Sequence, residues 1–368
     1  MFKWDNRICA SMVVSKDRMN RILEGYDPKN IVIATACSHT SLQIFDGARK
    51  EGFRTLGLAV RQKTKFYDAF PRGKPDEFFH VDSYAELMDK AGELTARNVI
   101  IVPHGSFVEY MGTKNFEDLE VPTFGNRHVL DWESDREKER MWLTSAGIEM
   151  PRKIDDPKMI DRPVLVKYDG AKGGRGFFIA KDYPDFKLGI DHTQKFSIQE
   201  YILGTRYYIH YFYSPIRTSG YRLSKGVLEL LSMDRRDESN VDEMYKLGAQ
   251  EELKRLGHFP TFVVTGNVPV VVRESLLPKL LEMGERVVEK SLELFGGMIG
   301  PFCLECIVTD NLDVKVFEIS SRIVAGTNPF ISGSPYADLI EPGVSTGRRI
   351  AQEIKYAVEH GQLGEIVT

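Results

Sequence analysis

Cysteine is scarce in this chain: four in 368 residues, at Cys9, Cys37, Cys303 and Cys306. That number cannot staple a protein of this size, so a disulfide scaffold is excluded. No apolar run approaches the roughly 20 residues that a membrane-spanning helix needs. Residues 1–11 lack the apolar centre and cleavage pattern of a secretory leader, so a cytoplasmic protein is expected. Positive charge is not in excess. The formal net charge of −4 argues against a nucleic-acid polymer as main partner, because a phosphate backbone calls for a basic surface. Internal repeats and low-complexity linkers are missing. So is a Gly-Lys-Ser/Thr tripeptide of the Walker A kind after the chain's glycine-rich loop. What remains is the composition of an ordinary soluble protein, long enough for two or three domains with their own cores.

Cys303-x-x-Cys306 invites a metal or redox reading. Residues 302–308 read as a strand, however, and positions three apart on a strand face opposite sides. The two thiols then diverge, and that chemistry is set aside.

The most informative stretch is 164–180. A β-rich run ends in Lys167. A loop with Gly170, Lys172, Gly173, Gly174, Arg175 and Gly176 follows, and an apolar run leaves it. Glycine lets backbone N–H groups approach an anion closely, and the cations add charge. A dinucleotide fingerprint needs a helix after the loop, whereas a strand pattern follows here. The loop is therefore expected to join two antiparallel strands and fold over a nucleotide as a flap. From the loop alone, an ordinary surface hairpin is the alternative.

The first third alternates strand and helix patterns. Strands are expected at 30–36, 55–60, 78–81, 98–102 and 121–124. A helix is marked by Leu42, Phe45 and Ala48, and another by Tyr84, Leu87, Met88, Ala91 and Leu94. This predicts a doubly wound parallel sheet, with ligands past the carboxyl ends of its strands. Two loops sit at such ends: Ser38-His39-Thr40-Ser41 and His104-Gly105-Ser106. Small hydroxyls, an imidazole and a helix start make each a phosphate or carboxylate site; simple N-capping is the alternative for Ser38 and Thr40. Residues 61–77, basic and bearing Pro and Gly, are expected to form a mobile surface loop.

A charged helix is expected over 131–146, stopped by Gly147 and Pro151. Residues 196–205 read as a short strand and turn. Its edge can bind an adenine through the backbone, with Glu200 near the exocyclic amine. Another strand, 228–233, leads to Asp234-Arg235-Arg236-Asp237-Glu238. Two strands near the end carry carboxylates. Cys303, Glu305 and Ile307 share one face of the first; Val316, Glu318, Ser320 and Arg322 share one face of the second. Paired carboxylates suit Mg²⁺, which takes a few of them plus phosphate oxygens, and Arg322 can reach the same phosphates. Amphipathic helices are expected at 278–294 and 348–359.

Hairpin, adenine edge and two-carboxylate sheet, in this order, resemble the ATP-grasp superfamily over roughly 126–368. The resemblance implies a fold of α/β and α+β parts: an ATP-grasp domain at 126–368, with a small flap-bearing subdomain near 152–205, preceded by a doubly wound pre-ATP-grasp domain at 1–125. Arg136 stands where that superfamily usually has a phosphate-contacting residue. Two departures stand out. Ser320 replaces a usual Asn after the second metal glutamate. The usual acidic ribose ligand is absent around Thr205-Arg206, and Glu238 is expected to take its place.

Ser38-His39-Thr40-Ser41-Leu42, Pro103-His104-Gly105-Ser106, Phe124-Gly125-Asn126-Arg127, Lys172-Gly173-Gly174-Arg175-Gly176, Glu238-Ser239-Asn240, Thr265-Gly266-Asn267-Val268-Pro269 and Gly300-Pro301-Phe302-Cys303-Leu304 are similar to the archaeal formate-dependent FAICAR synthetases. The likeness runs from about Met12 to the end, with 1–11 as an extension. Such enzymes join formate to the amine of the purine precursor AICAR, using ATP. The resemblance implies AICAR contacts at His39, Ser106 and Asn267. It implies ATP contacts at Arg136, Lys167, Lys172, Gly173, Gly174, Arg175, Gly176, Glu200, Tyr201, Ile202 and Glu238. Mg²⁺, or Mn²⁺, would sit on Glu305 and Glu318. Formyl phosphate is the expected intermediate, with His39, Arg322 and Arg235 (or Arg236) in the chemistry. The partners are small molecules, and a homo-oligomer is implied. Two rivals stay open: another ATP-grasp carboxylate–amine ligase, and a nucleotide-binding paralogue with altered catalysis.

Overall fold

A computed structural model describes residues 14–61, 64–168, 176–239, 248, 250–257 and 263–368. The expected extension, with Cys9, and the flap residues Lys172, Gly173, Gly174 and Arg175 fall outside these ranges.

The N-terminal sheet is parallel, as expected, with order β3-β2-β1-β4. Its strands are β1 (Val32–Ala36), β2 (Arg54–Val60), β3 (Glu77–Val81) and β4 (Val99–Ile101). β1 and β4 are buried along their whole length, which is why they read as unbroken apolar runs. The expected fifth strand survives only as isolated bridges, Ile101 to Thr123 and Phe124 to Val367. The helix expected around 84–94 is two short ones, Glu86–Asp89 and Ala91–Ala96.

The basic segment 61–77 departs from expectation where it is described. It forms a 3₁₀ turn, Thr64–Ala69, whose Tyr67 is fully buried. Its ring packs on Phe45 and Phe78, and its hydroxyl lies 2.8 Å from Ser41 Oγ. Arg49 donates to the carbonyls of Pro71 and Lys74. Polar composition suggested a loose loop, but one aromatic anchor and one guanidinium pin it down.

The expected helix over 131–146 breaks in two, Val129–Ser134 and Arg136–Ser145. Asp135 between them has extended backbone and accepts the N–H groups of Glu137 and Lys138. It is an N-cap, and capping ended one helix to begin the next.

The hairpin is real. β5 (Val164–Tyr168) pairs antiparallel with β6 (Phe177–Ala180) and with β7 (Phe196–Glu200) in a three-stranded sheet. Val164, Val166, Ala180, Phe186 and Ile198 give it a separate small core.

The large sheet is antiparallel, in the order β11-β10-β8-β12-β13 with β9 beside β10. Its strands are β8 (Thr205–Ser214), β9 (Tyr221–Arg222), β10 (Val227–Glu238), β11 (Val264–Pro269), β12 (Gly300–Val308) and β13 (Val314–Ser320). The helix Leu277–Phe295 covers one face with Leu280, Met283, Val287 and Val288, against Tyr211, Leu228, Phe302 and Leu304. Each such side chain contributes about 1.5–3 kcal/mol by leaving water.

The opposite face is covered only in part. Phe212 belongs to a second core with Ile33, Ile44, Ile350 and Ile354, which joins the N-terminal sheet to the C-terminal helix Thr346–Glu359. That helix lies very close to the helix Ser41–Lys50. A Cβ on Gly47 would come 2.3 Å from Arg348 N, and one on Gly347 2.4 Å from Gln43 O. The expected units 1–125 and 126–368 therefore share a core. Buried Arg127 adds to the tie, donating to the carbonyls of Leu119, Val121 and Thr368. Among the described residues no helix is long and apolar enough to cross a membrane.

Candidate active site

The uncovered end of the large sheet carries the carboxylates. Glu305 on β12 and Glu318 on β13 are direct cross-strand partners. The register shifts just beyond them, so that Cys306 faces Val316 and Phe317 is an extra residue. This corrects one expectation. Val316 does not share a face with Glu318; it packs into the main core with Val314 and Ile319. The bulge is what turns Glu318 into the cleft. The two cysteines diverge as expected: Cys306 lies in the main core and Cys303 against Tyr208 and Val324.

Arg236 ion-pairs Glu305 at 3.2 Å and lies 3.4 Å over the ring of Tyr208. Tyr208 itself stands opposite Glu305. Arg235 is not part of this group. Alternation puts it on the side of β10 that carries Met233, where it is exposed. Of the adjacent pair, Arg236 is the cation that faces the carboxylates.

Burial pushes the Glu305 carboxyl up, while Arg236 and then Arg322 pull it back. Glu318 is raised by crowding protein and then by Glu305 and Glu133, with Lys167 opposing, although its residue still meets solvent at the cleft. Two facing carboxylates resist double ionisation, and a divalent cation between them removes the conflict. The donor set is oxygen only, which suits Mg²⁺ or Mn²⁺. Among the described residues no group of three or more His, Cys, Asp or Glu is arranged to hold a metal ion. Phosphate oxygens and water would complete the shell.

Lys167, near the end of β5, faces this sheet. Burial lowers its pKa most; Glu318 raises it, Arg136 and Arg206 lower it, and Glu139 raises it. The hairpin, the start of the helix Arg136–Ser145 and the carboxylates therefore share one electrostatic neighbourhood. Gly176 closes the hairpin by accepting the Tyr168 N–H at 3.0 Å. Glu238, expected on a ribose, bonds Arg206 at 2.8 Å. The Glu200 carboxylate is engaged by Arg162 at 3.0 Å and the Arg152 N–H at 3.3 Å. Tyr201 N–H donates to the Pro163 carbonyl. The Glu200 carboxylate, expected near an adenine amine, is thus already paired within the protein.

The two N-terminal loops meet. Ser38 Oγ bonds Ser106 Oγ at 3.1 Å, and the rings of His39 and His104 lie 5.1 Å apart. Neither Ser38 nor Thr40 caps the helix Ser41–Lys50. Thr40 has φ 69° and turns its hydroxyl to the His39 carbonyl. His104 is fully buried and donates from Nε2 to the Ala36 carbonyl at 3.0 Å. Burial drives its pKa down to about 3, against the Ala36 bond and with help from His39 and Arg322. Burial, then Arg322, also lowers His39.

Arg322 connects this pocket to the carboxylates. It follows β13, ion-pairs Glu133 at 2.9 Å, and packs so tightly on Gly105 that a Cβ there would sit 3.3 Å from Nη1. Backbone bridging of His104 with Ile323 fixes the junction. Asn267, on β11, lies opposite Arg236, with Oδ1 buried and without a partner among the described residues. Sequence reasoning missed Glu133, Glu139, Tyr208 and the buried pair His210–Asp234, whose Nε2 and Oδ1 are 2.6 Å apart. Glu133 lies on the helix Val129–Ser134 and Glu139 on the helix Arg136–Ser145, so no single helical period joins them in the sequence.

A glycine hairpin sheet facing a carboxylate-bearing antiparallel sheet, behind a parallel-sheet unit, defines an ATP-grasp ligase fold. Solved structures agree on that fold. An N5-carboxyaminoimidazole ribonucleotide synthetase in its ADP complex matches with TM-score 0.61 at 12% identity, covering 89% of this chain and 77% of that one. The IMP biosynthesis protein PurP from Thermococcus kodakaraensis matches with TM-score 0.69 at 30% identity, covering 91% of this chain and all of that one. Residues 33–154 match a family described as a protein of unknown function, DUF1246, and residues 188–368 a domain of unknown function, DUF1297. The 5-formaminoimidazole-4-carboxamide-1-(beta)-D-ribofuranosyl 5'-monophosphate synthetase of Methanosarcina acetivorans is 66% identical over 97% of this chain and 100% of that protein. The synthetase of the same name from Korarchaeum cryptofilum is 44% identical over 96% and 100%. The chain belongs to this family of FAICAR synthetases.

Proposed function

We propose that the protein is an ATP- and formate-dependent ligase that formylates the amine of AICAR to give FAICAR, releasing ADP and phosphate. The carrying observation is identity of 66% along the whole length of a relative bearing that name. The site supports the same chemistry. Formate is a poor acylating agent because oxide is a poor leaving group. Transfer of the ATP γ-phosphoryl to formate gives formyl phosphate, a mixed anhydride. The AICAR amine attacks the formyl carbon, the carbon–oxygen bond to phosphate breaks, and the nitrogen gives up a proton.

Phosphoryl transfer needs positioning and charge neutralisation above all. Lys167, Arg136, Arg236 and Arg322 supply cations around the cleft, and Glu305 and Glu318 would hold the metal. A Mg²⁺ held by Glu305 and Glu318 would supply neutralisation of the phosphate charge. The hairpin would exclude water from the labile anhydride. His39, kept neutral by burial and Arg322, suits acceptance of the amine proton or orientation of AICAR, with Ser106 and Asn267 as further AICAR contacts. The ribose role of Glu238, the cytoplasmic setting and a homo-oligomeric form belong to the same proposal.

The test is ADP release with ATP and Mg²⁺, omitting formate and AICAR in turn. Dependence on both is expected, with FAICAR as product. Dependence on some other acid or amine would mean a different ligase. ATP binding with no dependence on either would mean a paralogue with altered catalysis.

A further inference from the structure

β13 is the last strand of its sheet, so its outer N–H groups have no strand to bond. Acceptors before the hairpin sheet satisfy two of them and the N–H of Ser321 just beyond the strand. The Glu149 carbonyl takes the Val316 N–H, Glu139 Oε1 takes the Ile319 N–H, and Glu133 Oε2 takes the Ser321 N–H, each at 2.8 Å. Glu133 does more than cover this edge. Its other oxygen, Oε1, holds Arg322 Nη2 at 2.9 Å. One carboxylate thus grips a peptide N–H and the guanidinium of the very next residue. On its far side the guanidinium rests on Gly105. Arg322 is clamped between a helix that leads to Arg136 and the loop that carries Ser106.

We propose that Glu133 is a positioning residue for the ligase reaction: through paired bonds to Ser321 N–H and Arg322 Nη2 it fixes the guanidinium on the divide between the metal carboxylates and the AICAR loops. This rests on the proposed function and on the role given there to Arg322. A long cation anchored only by its own stem would sample several rotamers. It would also be drawn to Glu305, which already has Arg236. A charged acceptor with both oxygens committed gives the fork one orientation. The break at Asp135 lets Glu133 and Glu139, from two different helices, reach the same strand edge.

Glu133→Gln is the discriminating variant. It is isosteric, keeps a carbonyl for the Ser321 N–H, and loses the charge that holds Arg322. Expected is a kcat lower by on the order of 10–100-fold, the usual effect of removing an orienting partner, with KM for ATP and thermal midpoint little changed. In an Arg322→Met background the same substitution should lower kcat no further. An unchanged kcat in the single variant would overturn the proposal, and so would losses that multiply in the double variant. If Glu133→Gln does not fold, Glu133→Asp takes its place, since it keeps the charge but cannot span both partners. A second readout does not depend on turnover. The Arg322 side-chain N–H should exchange slowly with water by NMR in the wild type and faster in Glu133→Gln; equal rates count against the clamp. Failure of the reaction itself looks different: the wild type would then show no formate- and AICAR-dependent ADP release, while the exchange comparison still decides the clamp.

Discussion

Replacing His104 by glutamine should remove a specific part of the protein's acid sensitivity. The imidazole is fully buried, its Nε2–H is used by the Ala36 carbonyl, and its Nδ1 has no partner among the described residues. Its pKa falls to about 3, chiefly through burial, against an ordinary value of 6.5. The sign follows directly. Above pH 6.5 the ring is neutral in both states, and its contribution does not vary with pH. Below 6.5 the unfolded chain binds a proton that the native state refuses, so stability falls as pH falls, until the native ring also protonates near 3. The slope approaches about 1.4 kcal/mol per pH unit, and between about pH 7 and pH 5 the loss sums to about 2 kcal/mol. In His104→Gln the side-chain amide places an N–H near the position of Nε2, so the bond to Ala36 is kept and the titration is lost. Urea unfolding of both proteins at about pH 7 and pH 5 measures the difference. The wild type should lose about 2 kcal/mol more than His104→Gln over that interval. Equal losses would refute the buried neutral imidazole, and with it the account of how the two N-terminal loops, proposed to bind AICAR, are held beside Arg322.

Other substitutions address the remaining parts of the site. Glu318→Gln should cut metal-dependent ADP release by on the order of 10²-fold or more while circular dichroism stays unchanged; wild-type turnover would sink the metal assignment. Gly105→Ala puts a Cβ 3.3 Å from Arg322 Nη1. A shift of a few tenths of an ångström should lower kcat about 10-fold, since a full ångström costs on the order of 10²-fold; an unchanged kcat would mean that Arg322's position is not critical. Tyr67→Phe removes the hydroxyl bonded to Ser41 and should cost about 1 kcal/mol in denaturant unfolding. Shortening the chain between Tyr168 and Gly176 should abolish productive turnover, or raise unproductive ATP hydrolysis, yet leave AICAR binding by calorimetry largely intact. Loss of AICAR binding would mean that the substrate is assigned to the wrong loops.

Period and turn chemistry made most of the fold legible. β1 and β4 read as continuous apolar runs because both of their faces are buried. The hairpin read as a hairpin because an apolar run follows Gly176 where a helix start would be needed for the commoner phosphate loops. What failed did so for local reasons. A single helix looked continuous over 131–146 because apolar spacing does not register a cap, and Asp135 is one. The segment 61–77 looked loose because its charge outweighed Tyr67, whose burial depends on Phe45 and Phe78 elsewhere in the chain. Simple alternation put Val316 beside Glu318. A bulge is invisible to a strict period of two, and this one decides which side chains enter the cleft. The same alternation, applied to 235 and 236, needed the register with β8 before it could choose Arg236.

The least legible feature is the one on which the site turns. Nothing in the spacing of His104, Glu133 and Arg322 says that they meet, because the three belong to different elements and are joined only by tertiary packing. The structure explains why they must be brought together. In the proposed reaction, phosphoryl transfer at Glu305 and Glu318 and amine attack at the Ser38 and His104 loops belong to two separate sheets, and the acyl phosphate would have to pass between them without release. The bridge of His104 to Ile323 and the packing of Arg322 on Gly105 fasten the end of β13 to the ends of β1 and β4. The C-terminal helix, pressed on the helix Ser41–Lys50, holds the same junction from behind. The hairpin sheet has its own core and shares none of these ties. On the proposed function, a rigid joint between the two centres and a hairpin sheet with its own core would let the hairpin move for ATP without disturbing the path of the intermediate.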